Sequence, residues 1–233
     1  MVKSLKHSIA ILLAVLLSLL LVACGDKTEE NENEKESKKN TSKTEMVYSD
    51  EYLNKHMPKE YRISYKIVTS DGDSKDQTST VTLSKSNKGI LLNIDGAQQL
   101  FIKSDKGYKM YSYDEDAGTW TDMSTIYNEK GFLSEADVNN IVTVYTNYMG
   151  YYSALRDEMK YDGKEEICGR KCEKYKYKGG IPGYNAKYDI YIDKETGVCL
   201  KYTIAVKAEG EKANLNFEAT EFVTEGIEIP EVS

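Results

Sequence analysis

Histidine is nearly absent from this 233-residue chain, which contains only His7 and His56. His7 lies in a segment that we expect to be removed, so His56 alone would have to serve a Ser–His catalytic pair. No glycine-rich loop opens a helix after a strand, which argues against a phosphate-binding loop. Carboxylates are abundant, but no pair stands in a context that would bury it, so glycosidase chemistry has no support. The sequence therefore predicts a protein that is not an enzyme.

Cysteine is also scarce, at four residues, and its spacing does not match the common metal sites. Cys168, Cys172 and His56 lack the paired, short-spaced pattern of zinc ligands, so we expect no metal and no cofactor. Removal of the N-terminal segment takes away Lys3 and Lys6, which leaves 29 of the 31 basic residues. With 38 acidic residues, the net charge of the mature chain is −9. That charge argues against nucleic acid as a partner and against adsorption to anionic headgroups.

A long apolar run is present at the N-terminus and nowhere else in the sequence. The run Ile9–Val22 follows the basic residues Lys3 and Lys6 and is followed by a small residue, which is the pattern of a secretory signal peptide over residues 1–23. At roughly 15 residues it is shorter than the roughly 20 that a bilayer span requires. We therefore expect an exported protein.

The tetrapeptide Leu21-Val22-Ala23-Cys24 resembles the lipobox of bacterial lipoprotein precursors. The resemblance implies that diacylglycerol is joined to the Cys24 thiol and that the chain is then cut after Ala23. Two or three acyl chains, palmitate among them, give stable anchoring, whereas one gives marginal binding. The expected location is the outer, extracytoplasmic face of the cell membrane, with the membrane as a partner. The alternative is an ordinary cysteine in an uncleaved anchor helix.

From Gly25 to Glu45 the chain has no large apolar residue. Such a segment cannot bury enough apolar surface to offset the cost of ordering it, so residues 24–45 are predicted to be a lipidated, disordered linker. A flexible linker of this length reaches about 25 Å. The folded domain is predicted over residues 46–233.

The folded domain is predicted to begin with a short helix, which strands follow. Ser49 is typical of a helix N-cap and Pro58 ends the helix, whose apolar face carries Tyr48, Tyr52, Leu53 and His56. From Tyr61 apolar residues alternate with polar ones, the period of a half-buried strand. Six strands are predicted around Tyr61–Ile67, Val81–Leu83, Ile90–Ile94, Gln99–Ile102, Tyr108–Tyr113 and Thr119–Met123. Asp-Gly pairs between them indicate hairpin turns, because both positions tolerate positive φ.

A helical insert is predicted after the sixth strand. Ser134 and Asp137 form a capping box, and Gly150 is a credible C-cap. Two helices, 134–149 and 151–160, are expected to act as a lid over the sheet. Their apolar stripe supplies the candidate ligand-binding residues Val138, Ile141, Val142, Tyr145, Tyr148, Met149, Tyr152 and Leu155, and continues to Met159. Such a stripe is most often core packing.

About five further strands are predicted, beginning after Asp162-Gly163. They lie around Glu165–Ile167, Lys171–Lys178, Lys187–Asp193, Val198–Ala208 and Ala213–Phe222, with a turn at Cys168-Gly169. The predicted class is therefore mainly β with α, or α+β. The sheet is expected to be antiparallel, of about 11 strands, with the helical insert between strands 6 and 7.

This order of elements resembles the LolA, LolB and LppX-type lipoprotein carriers and the RseB sensor domain. The likeness covers residues 46–233 and includes the Gly169-Arg170-Lys171-Cys172 turn and the Ile192-Asp193 to Gly197 hairpin followed by Leu200-Lys201. It implies a strongly curved sheet that forms an incomplete barrel, plugged by the N-terminal helix and the helical insert. LolA itself is soluble, whereas LolB and LppX-type proteins are lipidated.

Tyrosine is the abundant aromatic residue, with 19 tyrosines against four phenylalanines and one tryptophan. A tyrosine ring with its polar tip suits a sheet that is dry on one face, and a curved sheet covered by helices leaves concave apolar space for a ligand. A fully packed core without such a space is the alternative. Trp120 with Tyr111 and Tyr113 could form a sugar or lipid platform, although cross-strand packing pairs are the commoner arrangement.

The three cysteines after Cys24 allow one disulfide in an exported protein. Cys172 and Cys199 both fall on the more polar face of the predicted sheet. We therefore expect these two cysteines to form a disulfide and Cys168 to remain a free thiol. One strand lies between them in a simple meander, and free thiols are the alternative.

Two functions from different classes remain after these exclusions. The first is a membrane-anchored lipoprotein that binds or carries a hydrophobic ligand, a lipid or a lipoprotein acyl chain, in the concave face of the half-barrel. The alternative is a non-enzymatic sensor or interaction module of the cell envelope, whose partner is an envelope protein. Both rest on the resemblance in fold.

Overall fold

The computed structural model describes residues 55–70, 75–127, 129–146, 158–181, 184–208 and 211–232. These residues form eleven strands: β1 Tyr61–Ser70, β2 Gln77–Lys85, β3 Gly89–Ile94, β4 Ala97–Ser104, β5 Gly107–Asp114, β6 Thr119–Asp122, β7 Lys160–Ile167, β8 Arg170–Ile181, β9 Tyr184–Asp193, β10 Cys199–Ala208 and β11 Glu211–Val223. Among the described residues between β6 and β7 there are two helices, α1 Ser124–Tyr127 and α2 Glu135–Thr146. The predicted strand number, the α+β class and the place of the helical insert are confirmed.

All the described strands belong to one antiparallel sheet with the order β6-β5-β4-β3-β2-β1-β11-β10-β9-β8-β7. Two meanders, β1–β6 and β7–β11, are joined in the middle of the sheet by the pairing of β1 with β11. The edges are β6 and β7, which are consecutive strands in the sequence. The segment that contains α1 and α2 therefore has to connect one edge of the open sheet to the other.

The sheet is curled most strongly in its C-terminal half. Strand β7 contacts β11, although three strands separate them in the sheet. The Lys201 ammonium of β10 lies 4.0 Å from the Glu165 carboxylate of β7, and the Arg170 guanidinium lies 5.0 Å from the ring centre of Phe222 in β11. A flat sheet would hold these residues far apart, because each strand adds about 4.8 Å of width. The architecture is an open half-barrel, as predicted.

Alternation along the strands decides which face is buried. In β1, Tyr61, Ile63 and Tyr65 are at most 2% exposed, whereas Arg62 and Ser64 between them are half-buried. The face that carries the first three residues, continued through the cross-strand partners, is called the inner face here. It supplies most of one contiguous cluster of buried apolar side chains that extends across both meanders.

The turn chemistry follows the sequence at two hairpins and departs from it at a third site. Asp95 has φ +51° and Gly96 φ +97°, so this pair is a hairpin turn that needs residues tolerant of positive φ. Cys168-Gly169 turns in the same way between β7 and β8. The prediction that strands resume only after Asp162-Gly163 is wrong: β7 starts earlier, at Lys160, and the pair lies within the strand at a register shift. Such a bulge accommodates an extra residue without reversing the chain.

The capping box before α2 is confirmed. The Ser134 hydroxyl accepts a hydrogen bond from the Asp137 amide at 3.1 Å, and the Asp137 carboxylate accepts one from the Ser134 amide at 2.9 Å. These bonds satisfy amide groups that the helix itself leaves unpaired. Helix α2 contacts β2 and β5, and its Val138 is 1% exposed. It therefore covers the N-terminal half of the inner face.

The predicted N-terminal helix lies mostly outside the described residues. Residues 55–56 are helical, and the chain leaves the helix at Met57-Pro58, as the proline predicts. The other residues of this predicted helix lie outside the described part of the chain: Tyr48, Ser49, Tyr52 and Leu53. The segments predicted as a signal peptide, 1–23, and as a linker, 24–45, also lie outside it, as does Gly150. Within the described ranges, no helix combines the length and apolar character that crossing a bilayer would take.

Candidate functional site

A registered row of apolar side chains crosses the inner face of the C-terminal half. Tyr161 of β7 pairs with Tyr175 of β8, Tyr175 with Ile190 of β9, Ile190 with Tyr202 of β10, and Tyr202 with Phe217 of β11. We call these five residues the aromatic row. Because residues directly opposite in antiparallel strands lie on the same face, the row is continuous from the sheet edge to its middle.

Ring contacts hold the inner end of the row together. Phe217 stacks on Tyr202 with 5.0 Å between ring centres, and its other neighbour is Tyr65 of β1 at 4.3 Å. The Tyr65 hydroxyl donates a hydrogen bond of 2.8 Å to the Cys199 carbonyl. A buried tyrosine is favourable when its hydroxyl has such a partner. This end of the row is packed core.

The outer end of the row is open. Tyr175, Tyr202 and Phe217 are at most 5% exposed, whereas Tyr161 at the edge is 54% exposed. Tyr161 meets Tyr175 edge to face, with ring centres 5.8 Å apart. The row therefore runs from a dry interior to solvent at β7, and its exposed end lies at an edge strand.

A pocket of about 630 Å³ is located at this edge, which we call the edge pocket. Its aromatic wall is Tyr161 and Tyr177, and Tyr177 contacts the buried Tyr188 at 5.5 Å between ring centres. The remaining lining residues are Glu158, Lys160, Asp162, Lys176 and Lys178. The volume falls in the range typical of small-molecule sites, about 300–1,000 Å³.

Gly179 makes room for the aromatic wall. A Cβ atom at this position would lie 2.1 Å from the Tyr177 hydroxyl and 2.4 Å from the adjacent ring carbon. Any larger residue would therefore displace the Tyr177 ring from its present place. This glycine is needed for a close approach of a side chain to the backbone, and not for a turn.

The charges around the edge pocket are partly paired. The Lys176 ammonium lies 2.8 Å from the Asp162 carboxylate, and its hydrogen bond lowers the pKa of Asp162 below the usual value. Burial raises the pKa of the Tyr177 phenol, and the nearby Glu158 carboxylate adds to that rise. The pocket thus combines an aromatic wall with a rim of acidic and basic side chains, which suits a ligand with an apolar body and a polar end.

The structure describes only part of the predicted ligand-binding set. Val138 is buried against the N-terminal half of the sheet and belongs to the core cluster. Ile141, Val142 and Tyr145 lie in α2, but their side chains are outside the described part. Tyr148, Met149, Tyr152 and Leu155 lie outside the described residues altogether. Met159 is partly buried against the core and directly precedes β7.

The edge pocket itself could not be derived from the sequence. Its residues come from β7, from β8 and from Glu158 before β7. The alternation of tyrosine with lysine in Lys174–Lys178 indicated a half-buried strand, but not that this strand lies beside a sheet edge.

Trp120 and Tyr113 form a cross-strand pair with ring centres 5.0 Å apart.

A buried ion pair fixes the turn between β9 and β10. Asp193 is 1% exposed, and its carboxylate accepts hydrogen bonds from the Arg170 guanidinium at 2.8 Å and from the Thr196 amide at 3.1 Å. The Gly197 amide also bonds to the Asp193 carbonyl at 2.8 Å. These contacts join the β7–β8 and β9–β10 hairpins and are structural. The hairpin was predicted from the sequence, and its long-range partner was not.

The predicted disulfide between Cys172 and Cys199 is not formed. Each of the three described cysteines is a free thiol. Cys172 pairs with Asp193 and Cys199 with Ile192, so strand β9 lies between them. Two strand spacings amount to about 9.6 Å, and a disulfide needs α-carbons within about 7 Å. In the described ranges, moreover, no group of three cysteine, histidine or acidic residues could hold a metal ion.

Thiol labelling should distinguish the three cysteines. Burial, with the Asp193 carboxylate nearby, raises the pKa of Cys172 to about 12, and Cys199 is 2% exposed. Cys168 is exposed in its turn. We expect iodoacetamide to modify Cys168 in the native protein, and all three thiols once the chain is unfolded without reductant. Mass spectrometry of the alkylated peptides measures this. If only Cys168 were labelled after unfolding, the result would show that Cys172 and Cys199 form a disulfide.

The described elements define a class of protein: an open antiparallel half-barrel with an aromatic inner face and a pocket at one edge. No protein-family model matches the sequence, and no curated protein sequence matches it. Among solved structures, the chain is similar to MucB, with 12% identity over 76% of this chain and 57% of that chain and a TM-score of 0.39.

Two further structures show a similar likeness. One is MucB in complex with MucA(peri), with 13% identity, coverage of 76% of this chain and 55% of that chain, and a TM-score of 0.33. The other is the LolA superfamily protein NE2245 from Nitrosomonas europaea, with 10% identity, coverage of 76% and 92%, and a TM-score of 0.29. This chain spans little more than half the length of the MucB chains.

Proposed function

We propose that this protein is a membrane-anchored extracytoplasmic lipoprotein that binds a hydrophobic ligand, a lipid or an acyl chain, on the inner face of its half-barrel. The observation that carries the proposal is the gradient along the aromatic row, from buried Phe217 to the 54%-exposed Tyr161 at the edge pocket. Because the inner end of the row is packed, a ligand would bury its chain at the open outer end, where Tyr161 and Tyr177 line the edge pocket.

The energetics favour an acyl chain. Removing apolar surface from water contributes about 25 cal/mol per Å², so a chain laid on aromatic side chains needs no polar contact for affinity. Tyr161 and Tyr177 supply that surface in the edge pocket, and each apolar ring carries a polar hydroxyl group. The ligand contacts are therefore predicted at these two tyrosines in addition to the helical stripe.

The rim of the edge pocket suits a ligand with an acidic end. Lys160, Lys176 and Lys178 line it, against Glu158 and Asp162. Asp162 is engaged by Lys176 at 2.8 Å and by Lys174 at 3.7 Å. A carboxylate or phosphate group at the mouth would meet lysine ammonium groups within reach, while its chain lies on the tyrosine rings. This function involves no chemical step, so we propose no catalytic residue.

Shortening Tyr161 should weaken ligand binding without unfolding the domain. We expect Tyr161→Ala to raise the Kd of a fluorescent fatty acid about tenfold, which corresponds to about 1.4 kcal/mol. The reason is the loss of the exposed ring that closes the row at the pocket. Fluorescence titration of the delipidated protein measures the effect.

The matched control is Ile126→Ala, which removes another exposed apolar side chain, 70% exposed on α1 and outside the edge pocket. Its Kd should equal that of the unchanged protein. Equal Kd values for all three proteins would place the ligand elsewhere, and absence of fatty-acid binding to any of them would contradict the proposed function.

The alternative, an envelope interaction module, would use a sheet edge or the lid to contact a protein. Strand β6 is four residues long, and β7 carries a bulge and a run of charged residues. Short, bulged and charged edges are what proteins use to prevent strand addition. The described edges therefore favour the ligand-binding function over partner binding by strand pairing.

A further inference from the structure

A basic surface lies on the outer face of the C-terminal half, opposite the aromatic row. It consists of six exposed lysines, which we call the basic patch: Lys160, Lys176, Lys178, Lys187, Lys207 and Lys212. The strand register places them on one face, because Lys160 pairs with Lys176, Lys178 with Lys187 and Lys207 with Lys212. Four adjacent strands and the edge strand β7 thus present the same charge.

The acidic residues nearby do not cancel this charge. Asp189 is in register with Lys176, and Asp162 bonds to the same lysine at 2.8 Å. Glu158 lies at the rim of the edge pocket. Glu209 and Glu211 lie in the sequence between Lys207 and Lys212, and Glu211 pairs with Ala208. Six lysines against these five acids leave a small local excess of positive charge on a chain whose mature net charge is −9. The net charge of the whole chain therefore conceals a local reversal of sign.

The three lysine pairs are a cost to the fold. Like charges directly opposite each other on neighbouring strands are destabilising. The same strands show that the chain can place opposite charges in register, since Lys201 pairs with Glu218 at 3.1 Å between ammonium and carboxylate. Three like-charge pairs on one face indicate a surface adapted to an external anion rather than to folding.

We propose that the basic patch docks on a membrane surface rich in anionic phospholipid and presents the edge pocket to it. The choice of a membrane rests on the proposed function, because a domain tethered through Cys24 by a linker of about 25 Å stays close to lipid headgroups. Lysines near an anionic surface are attracted over about one Debye length, roughly 8 Å at physiological salt.

The position of the patch agrees with this partner. Lys160, Lys176 and Lys178 belong both to the basic patch and to the lining of the edge pocket. A membrane bound by the patch therefore adjoins the pocket mouth at the β7 edge, where Tyr161 is exposed. A lipid could then pass from the bilayer to the aromatic row without crossing water.

Vesicle binding of the unlipidated mature chain tests the proposal. The chain 24–233 carrying Cys24→Ser contains all eleven described strands and has no anchor of its own. We expect it to co-sediment with vesicles of phosphatidylcholine and phosphatidylglycerol, but not with phosphatidylcholine alone, and to be released by salt. The triple variant Lys187→Gln, Lys207→Gln, Lys212→Gln should bind the anionic vesicles at least about tenfold more weakly than the unchanged chain does.

The control is a triple variant with the same change in net charge, Lys75→Gln, Lys103→Gln, Lys106→Gln, at exposed lysines of the N-terminal half. It should bind as the unchanged chain does. Equal weakening in both variants, equal binding to both vesicle types, or preference for soluble polyglutamate over anionic vesicles would overturn the proposal. Protection of Lys187, Lys207 and Lys212 from acetylation by vesicles gives the same answer without substitution.

Fatty-acid binding separates this inference from the function on which it rests. None of Lys187, Lys207 and Lys212 lines the edge pocket. Their triple variant should therefore bind a fluorescent fatty acid with unchanged Kd. Loss of vesicle binding with intact fatty-acid binding supports the docking surface. If the unchanged chain binds the fatty acid but does not bind anionic vesicles, the docking surface is refuted and the proposed function is unaffected.

Discussion

Replacing Phe217 with alanine should lower the free energy of unfolding by about 3 to 5 kcal/mol. Phe217 is 2% exposed and is held between Tyr65 and Tyr202 at 4.3 and 5.0 Å between ring centres. It lies where β11 pairs with β1 and joins the two meanders. Removing its ring leaves a cavity that neighbouring strands cannot close, so the effect should be among the largest of any single substitution.

Urea denaturation followed by circular dichroism measures this change. The control, Asn214→Ala, is on the same strand at an exposed position and should change the free energy of unfolding by less than about 0.5 kcal/mol. A loss below about 1 kcal/mol for Phe217→Ala would show that the aromatic row is not a packed core at its inner end.

Replacing Cys24 with serine should abolish membrane anchoring. The lipobox resemblance implies that the thiol receives diacylglycerol before the signal peptide is cut, so serine should prevent both steps. We expect the variant to incorporate no alkyne-labelled palmitate in its bacterial host and to keep residues 1–23. Labelling followed by gel electrophoresis and intact mass measures both outcomes.

Cys168→Ser is the matched control, because it makes the same substitution at an exposed cysteine in the β7–β8 turn. It should keep the label and the mature mass. Palmitate incorporation that survives Cys24→Ser would contradict the proposed anchor, and the tether on which the membrane-docking inference depends would fail with it.

Much of the fold could be predicted because local patterns decide it. Alternation of apolar and polar residues located β1, and the Asp95-Gly96 pair located a turn that needs positive φ. The Ser134–Asp137 box marked the start of α2 from side-chain chemistry alone. In each case the physical cause lies within a few residues of the chain, so the sequence contains it.

Long-range pairing could not be predicted in the same way. The contact of β1 with β11 joins residues about as far apart as the domain allows, and no local pattern specifies it. The curl that brings Glu165 near Lys201 is accompanied by register shifts between β7 and β8 and between β9 and β10, which no local pattern specifies either. The start of β7 was placed after Asp162-Gly163 because an Asp-Gly pair commonly lies outside a strand, whereas here it lies at a bulge within one.

The same limit explains the errors and omissions at the site. The face of Cys172 and Cys199 was judged from alternation, but the distance between them depends on β9 lying between their strands. The edge pocket requires knowing that β7 is an edge, and the basic patch requires the register of four strand pairs. Composition showed an acidic chain, and only the register revealed a basic face on it.

Native mass spectrometry of the protein extracted mildly from its own host, with the lipidation proposed at Cys24, tests the central claim most directly. We predict a species heavier than the lipidated polypeptide by one non-covalent lipid, and loss of that lipid from Tyr161→Ala but not from Ile126→Ala. A mass equal to that of the lipidated polypeptide alone, in every preparation, would contradict a ligand on the inner face.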